Sequence, residues 1–352
     1  MTELLTRDDF RNQVFERDNH NCILCGDPAQ DAHHIIERRL FTEPEEFGGY
    51  FLNNGASVCG PCHIKCEETS ISVEEVREAA GIKKPIIPSH LYRDQRYDKW
   101  GNPILDNGQR LRGDLFDDES VQKILKQGGV LDDFTHYVKY PRTLHLPFSP
   151  GINDDDRVLK SMDQFEGHNI IVFEKLDGEN TTLYTDYIHA RSINSGNHPS
   201  RNWVKAFHAQ FQGDIPYGWR ICGENMFAEH SIHYENLKTY FYGFSIWNEK
   251  NELLDWDTTL EWFELLGIIP CPTIYEGLYN YDLLKNLEKI LDFTKQEGFV
   301  MRIRDGFHYR DFRKYVGKYV RKGHIQTTKH WMIGQQVVPN ELAPTAQKIG
   351  TK

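Results

Sequence analysis

The sequence has no apolar run approaching the roughly 18 residues that cross a bilayer, no internal repeat and no low-complexity tract. Its first residues, Met1-Thr2-Glu3-Leu4-Leu5-Thr6-Arg7-Asp8-Asp9, lack the basic and apolar regions of a secretion signal. Positive charge is in deficit: 41 Lys and Arg against 52 Asp and Glu give a formal net charge of −11. That balance argues against non-specific coating of nucleic acid, while local basic clusters can still set a contact. Cysteine is scarce and odd in number, seven in all, which argues against a disulfide framework. These absences predict a cytoplasmic protein with no membrane partner.

What is present suits a globular enzyme. The 352 residues, 39% hydrophobic and 12% aromatic, predict two domains with ample length for a core. Five of the seven cysteines lie between Cys22 and Cys66, whereas Cys222 and Cys271 stand alone on apolar stretches and read as core. Cys22-Ile23-Leu24-Cys25 and Cys59-Gly60-Pro61-Cys62 are Cys-x-x-Cys knuckles with 33 residues between them. Four thiolates so spaced in a reducing compartment predict a tetrahedral structural Zn²⁺ site, with Cys66 a fifth thiol nearby.

Local signals divide the chain. A helix is expected from Arg7 to Asp18, with Thr6 as its cap and Phe10, Val14 and Phe15 on one face. Ser72-Val73-Glu74-Glu75 is a capping box opening a helix that Gly81 ends. Residues 82 to 118 are irregular and rich in Pro, Gly, Asn and Asp, but Tyr92, Tyr97 and Trp100 predict packing on a domain. A short helix around Glu119 to Gln127 should stop at Gly128-Gly129. The expected division is 1–81, a connector at 82–133, and a second domain at 134–352. Within that domain, helices are expected at Thr258–Leu266, opened by a Thr258-x-x-Glu261 capping box, and at about Tyr281–Gln296.

The second domain carries an ordered series of chemical motifs. Glu174-Lys175-Leu176-Asp177-Gly178-Glu179-Asn180 follows the apolar run Ile170-Ile171-Val172-Phe173. A buried strand there can deliver a lysine amine to a pocket as a nucleophile, and Gly178 lets the chain turn against a ligand. Behind it come His189-Ala190-Arg191-Ser192, then Cys222-Gly223-Glu224, then the aromatic strand Tyr240 to Trp247. Glu297-Gly298-Phe299 and the basic, aromatic stretch Lys314 to Lys322 complete the series. Singly, Phe244 would read as core and Glu224 or Glu297 as strand-end charges. Jointly they offer a nucleophile, carboxylates for sugar and divalent metal, a ring for a base, and cations for phosphates.

This ordered set resembles the covalent nucleotidyltransferase superfamily, and within it the ATP-dependent RNA ligases. The resemblance runs from Tyr140-Pro141-Arg142-Thr143 to about His324–Trp331, with the motifs falling in order. It implies an α+β fold with antiparallel sheets around an ATP cleft, with ATP and Mg²⁺ or Mn²⁺ as cofactors and RNA ends as partner. Lys175 would form lysyl-AMP, with Glu174, Asp177, Gly178 and Asn180 beside the nucleotide. Arg191 would contact phosphate or ribose, Lys318 the α-phosphate, Glu224 ribose or metal, Glu297 the metal, and Phe244 would stack on adenine. Many relatives end the last motif as Lys-x-Lys; here Val320 holds the second position, so Arg321 is expected to supply the second cation. About 30 residues follow Lys322, too few for the OB-fold that DNA ligases and capping enzymes append, which favours an RNA ligase. A DNA ligase, a capping-type nucleotidyltransferase and a nucleic-acid-binding protein with vestigial sites are the alternatives.

Between and after the knuckles stand Asp31-Ala32-His33-His34-Ile35-Ile36, Asn53-Asn54 and His63. These resemble the HNH nucleases, whose ββα-metal unit is often braced by zinc. The resemblance implies His33 and His63 as ligands of a catalytic divalent metal, His34 as general base and Asn54 as its orienter. The module would either cleave nucleic acid or position its ends.

Overall fold

The computed structural model describes residues 3–93, 95–105, 108–152, 156–322 and 337–346. The chain divides into two compact units, Met1–Val138 and Lys139–Lys352. Among the described residues no helix is long and apolar enough to cross a membrane. The segment 324–331, where the resemblance to ligases ends, lies outside the described residues.

In the first unit α1 spans Arg7–Arg17, and the Thr6 hydroxyl caps it by accepting the Asp9 N–H at 3.1 Å. Its buried face is Phe10, Val14 and Phe15, three residues that share one side at helical spacing. Strand β1 (Asp31–His34) pairs antiparallel with β2 (Gly55–Val58), setting His33 against Ala56. Helix α2 (Gly60–Glu67) starts inside the second knuckle with Pro61 in its first turn, where a missing N–H is harmless. Helix α3 (Val73–Ala79) opens on the reciprocal Ser72–Glu75 capping box. The hairpin of β3 (Arg96–Tyr97) and β4 (Pro103–Ile104) follows, then α4 (Glu119–Gln127), capped by Asp118. Trp100, Phe116, Val121 and Leu125 form a buried cluster of their own within this unit.

The second unit is a mixed α+β body built on two sheets. Its elements begin with β5 (Leu144–His145), β6 (Asn169–Glu174), β7 (Glu179–Leu183), β8 (Ile188–Ala190), α5 (Asn202–His208) and β9 (Arg220–Asn225). They continue with β10 (Phe241–Trp247), β11 (Glu252–Leu253), α6 (Trp256–Leu266), β12 (Ile269–Pro270) and β13 (Thr273–Leu278). Then come α7 (Tyr281–Leu287), β14 (Gly298–Ile303), β15 (Phe307–His308), α8 (Phe312–Tyr315) and β16 (Val316–Val320). One sheet runs β13-β6-β14-β16-β5, antiparallel except where β16 meets β5. The other runs β15-β11-β10-β9-β7-β8, with β12 parallel alongside β10. Between them lies one large core that includes Ile170, Ile171, Val172, Phe241, Phe263, Phe299 and Met301.

Two helices differ from expectation. The cap of α6 is Asp255, whose carboxylate accepts the Thr258 N–H at 3.0 Å, so the helix starts at Trp256, two residues before Thr258. Helix α7 ends at Leu287 and does not reach Gln296. The Asp292 carboxylate accepts the Thr294 N–H at 3.0 Å, and such side-chain turns compete with a helix for the backbone.

Candidate functional site: a cleft between two sheets and a metal-ligand cluster

In the second unit, a cleft is lined from both sheets. Across the first sheet, Phe173, Val300, Lys318 and His145 stand opposite one another on β6, β14, β16 and β5, and all four line the cleft. On the other sheet Asn180 of β7 pairs with Glu224 of β9, and Phe244 of β10 adds an aromatic wall. Glu174, Lys175, Asp177, Arg191 and Glu297 complete the lining among the expected residues. The sequence series thus converges on one site.

Lys175 sits just past the end of β6, its N–H donating to the Gly298 carbonyl at 3.0 Å. Gly298 has a φ of 155°, and a Cβ there would lie 2.0 Å from the Tyr319 carbonyl, so only glycine allows this strand pairing. The Lys175 ammonium is ion-paired with the buried Glu297 carboxylate. Burial works to lower the Lys175 pKa, but Glu297 and Glu224 outweigh it and hold the amine above its ordinary value. Burial pushes Glu224 up to about 8 against the pull of Lys175. Burial and the neighbouring Lys175 bring Lys318 down to about 8.

Gly178 lies at the turn after Lys175 and donates its N–H to Glu224 at 3.3 Å; a Cβ would meet the Asn225 carbonyl at 2.5 Å. Asp177 is committed elsewhere: its carboxylate accepts the Ser231 N–H at 2.8 Å and hydroxyl at 2.5 Å. These bonds overcome burial and keep its pKa low, so Asp177 pins the loop that carries Lys175. Glu174 accepts from the Gln296 amide at 3.0 Å. Phe244 packs edge-on to Tyr140 at 5.2 Å and parallel to Phe173 at 6.3 Å. The Asn180 Oδ1 is buried without a partner at the cleft, as a side chain awaiting a ligand would be.

Arg321 does not join the lining; its guanidinium donates to the Phe293 carbonyl at 2.8 Å. Strand alternation explains this, since Lys318 and Val320 face the cleft and the next residue turns away. Among the lining residues to which the sequence assigned no role are Tyr140, Arg142, His145 and Asp156. Arg142 belongs to the motif that opens the series, and that position was the available signal. For His145 the signal was absent, because β5 is two residues long and only the pairing with β16 brings it in.

The first unit gathers two ligand clusters. Cys22, Cys25, Cys59 and Cys62 bring their sulfurs within 4.8 Å of one another. Tetrahedral zinc, with Zn–S bonds of about 2.3 Å, sets sulfurs about 3.8 Å apart, so the four fit it. Cys66 packs instead among Ile35, Ile36 and Val76. The second cluster is His33, His63 and Glu67. His63 Nε2 lies 3.2 Å from Glu67 Oε1, and its Nδ1 lies 3.1 Å from Asp31. The buried His33 Nδ1 is 3.4 Å from the same Glu67 oxygen, in a geometry short of a hydrogen bond, and has no other partner. Glu67 was not foreseen, although His63-x-x-x-Glu67 sets both side chains on one face of α2.

His34 is not in this cluster. Its ring stacks on Phe10 at 4.6 Å and meets Tyr50 edge-on at 5.3 Å. The Asn54 side chain makes its hydrogen bonds to backbone: it accepts the Ile36 N–H at 2.9 Å and donates to the Ile36 and Gly49 carbonyls. Its hold is on the backbone beyond the histidines.

By sequence, the chain matches none of the curated proteins compared with it. Among solved structures, an archaeal ATP-dependent RNA ligase overlaps with 14% identity and a TM-score of 0.39, covering 53% of this chain and 48% of that one. A Naegleria gruberi RNA ligase variant with ATP and Mn overlaps at 17% identity and a TM-score of 0.37, covering 53% and 60%. A putative ATP-dependent DNA ligase from Aquifex aeolicus gives 16% and 0.38, covering 53% and 50%. The chain therefore spans about half to three-fifths of the length of these proteins. Residues 168–320 match the family model described as RNA ligase, a span that holds the cleft residues from Phe173 to Lys318.

Proposed function

We propose that the protein is an ATP-dependent RNA ligase that joins 5′-phosphate and 3′-hydroxyl ends through a lysyl-AMP intermediate. The observation that carries the reading is the amine of Lys175 at the cleft, paired with Glu297 and sharing the lining with Lys318, Arg191 and Arg142. Once its proton is lost, the Lys175 nitrogen attacks the α-phosphorus of ATP, and the bond to pyrophosphate breaks. AMP then passes to a 5′-phosphate, and a 3′-hydroxyl attacks that end and expels AMP. Each step gathers negative charge on phosphate oxygens, which the cationic side chains stabilise in place. Glu297, Glu224 and the unpartnered Asn180 Oδ1 suit a hard divalent cation, which would supply further charge neutralisation. Phe244 offers a face for the base, and Asp177 holds the lysine loop through Ser231.

Incubation with α-labelled ATP and Mg²⁺, followed by denaturing electrophoresis, tests the reading. A labelled band is expected, and it should vanish in Lys175→Ala. An unlabelled parent, or a labelled alanine variant, overturns it. Labelling by GTP in place of ATP would indicate the capping-type alternative, and sealing of DNA alone a DNA ligase.

For the first unit the reading is a structural Zn²⁺ on Cys22, Cys25, Cys59 and Cys62, whose sulfurs lie within 4.8 Å of one another. A second divalent cation is assigned to His33, His63 and Glu67, an N,N,O set suited to borderline metals. The buried His33 Nδ1, which faces Glu67 Oε1 at 3.4 Å without a hydrogen bond, carries this second assignment. The HNH resemblance extends it to metal-dependent contact with nucleic acid. The packed His34 ring favours positioning of RNA ends over cleavage. Cleavage of any strand in a panel of DNA and RNA with Mg²⁺, Mn²⁺ or Ni²⁺, lost in His34→Ala, would reverse that preference.

A further inference from the structure

Lys99 is only 4% exposed, an uncommon place for an ammonium, and its environment explains why it is stable there. Its Nζ lies 3.0 Å from Glu67 Oε1 and 3.4 Å from Glu37 Oε2. It also donates to the His34 carbonyl at 3.0 Å and lies 5.1 Å from the Trp100 ring centroid. The Glu67 oxygen it holds is the one that His63 Nε2 and His33 Nδ1 approach at 3.2 and 3.4 Å. One carboxylate oxygen therefore serves both the ammonium and the cluster of candidate ligands.

We propose that Lys99 is a built-in competitor for the cation of the His33–His63–Glu67 site, occupying Glu67 until a divalent metal displaces it. This rests on the assignment of a divalent cation to that cluster. A dication drawn to Glu67 and a buried ammonium bonded to the same oxygen repel each other strongly in a poorly solvated site. Glu37 makes the exchange feasible. Its Oε1 is engaged by Arg39 at 3.0 Å, and its Oε2 already faces Lys99, so the ammonium keeps a carboxylate when Glu67 turns to the metal. The site thus loads weakly, with Glu37 setting how readily Lys99 lets go. A lysine that merely propped Glu67 in a ligating pose would have the opposite effect, since its loss would weaken metal binding.

The test is calorimetric titration of Mn²⁺ into the zinc-loaded full-length protein, with the relevant binding event identified as the one that His33→Ala deletes. Lys99→Met keeps the length of the side chain and removes its charge; it should tighten that event at least tenfold. Lys99→Arg should bind like the parent. Glu37→Gln strands the ammonium on Glu67 and should weaken the event at least threefold, a shift of the opposite sign that holds the proposal to account if the methionine variant folds poorly. Zinc content and far-ultraviolet circular dichroism establish folding for each variant. Unchanged or weaker binding in a folded Lys99→Met, or unchanged binding in Glu37→Gln, overturns the proposal. If the parent shows no event that His33→Ala removes, the divalent assignment itself fails, and the proposal with it.

Discussion

The pairing of Lys175 with Glu297 means that the proposed nucleophile rests as an ammonium, which has no lone pair to offer. Its pKa lies above the ordinary lysine value, because Glu297 and Glu224 outweigh the effect of burial. The reactive amine fraction therefore grows about tenfold per pH unit throughout the range below that pKa. Adduct formation with saturating ATP and Mg²⁺ should rise as pH increases from about 6.5 to 9. Glu297→Gln removes the principal anion holding the proton, so the rising limb should move to lower pH even as the maximal rate drops at least tenfold for want of a cleft carboxylate. A limb that stays in place would show that Glu297 does not hold the proton. The identities of Lys175, Glu224, Phe244, Glu297 and Lys318 were legible because each stands in a motif of fixed order, and the structure brings all five to one cleft. Arg321 was misplaced for a reason visible beforehand, since it breaks the alternation that Lys318 and Val320 keep. Glu67 escaped notice because the HNH pattern directs attention to histidines, although its spacing from His63 is one helical turn.

At the level of elements, one helix start and one helix end departed from expectation, those of α6 and α7. Thr6 and Ser72 cap α1 and α3 where their side chains predict, because a cap is a local bond between neighbours in sequence. Helix α7 ends at Leu287, and the Asp292–Thr294 turn beyond it is a local bond that apolar periodicity does not encode. The zinc knuckles show how a short element gains stability from a distant one. Strands β1 and β2 pair over four residues each, and α2 begins within the second knuckle, so zinc would close the loop between Cys25 and Cys59. Cys59→Ser should release about one zinc per chain and abolish the cooperative unfolding of the first unit, because such small domains draw much of their folding energy from the metal. Adduct formation at Lys175 should continue, as the Lys139–Lys352 unit has its own core. Metal analysis paired with ATP labelling checks both halves. Loss of adduct with the second unit still folded would show that its chemistry depends on the zinc module.

The whole chain is two bodies, and residues 82–133 fold with the first of them. Their composition reads as a connector, yet the polar residues that give that impression satisfy one another. The buried Asp98 carboxylate accepts the Trp100 and Asn102 N–H groups at 2.9 and 3.0 Å and pairs with Arg110 at 3.1 Å. Arg110 also donates to Thr69 at 2.6 Å, and Trp100 Nε1 donates to the carbonyl of Glu67 at 2.9 Å. Both acceptors belong to the stretch just after the zinc knuckles, beside the His33–His63–Glu67 cluster. Composition cannot show this, because Asp, Asn and Gly are common to loops and to buried turn networks. A fragment ending at residue 81 would lose Lys99, leave Glu67 without its ammonium and strip Trp100 from the surface it covers. Burial of a large aromatic with a satisfied N–H is worth roughly 2–3 kcal/mol, and Phe116, Val121 and Leu125 add to it. Against a total stability of about 5–15 kcal/mol for a domain, that loss is severe. Zinc-loaded 1–138 should therefore unfold cooperatively in urea, whereas zinc-loaded 1–81 should show a midpoint lower by more than 1 M, or no transition, at an m-value of about 1–2 kcal/mol/M. Equal midpoints for the two fragments would mean that zinc alone organises the module and that residues 82–138 only rest upon it.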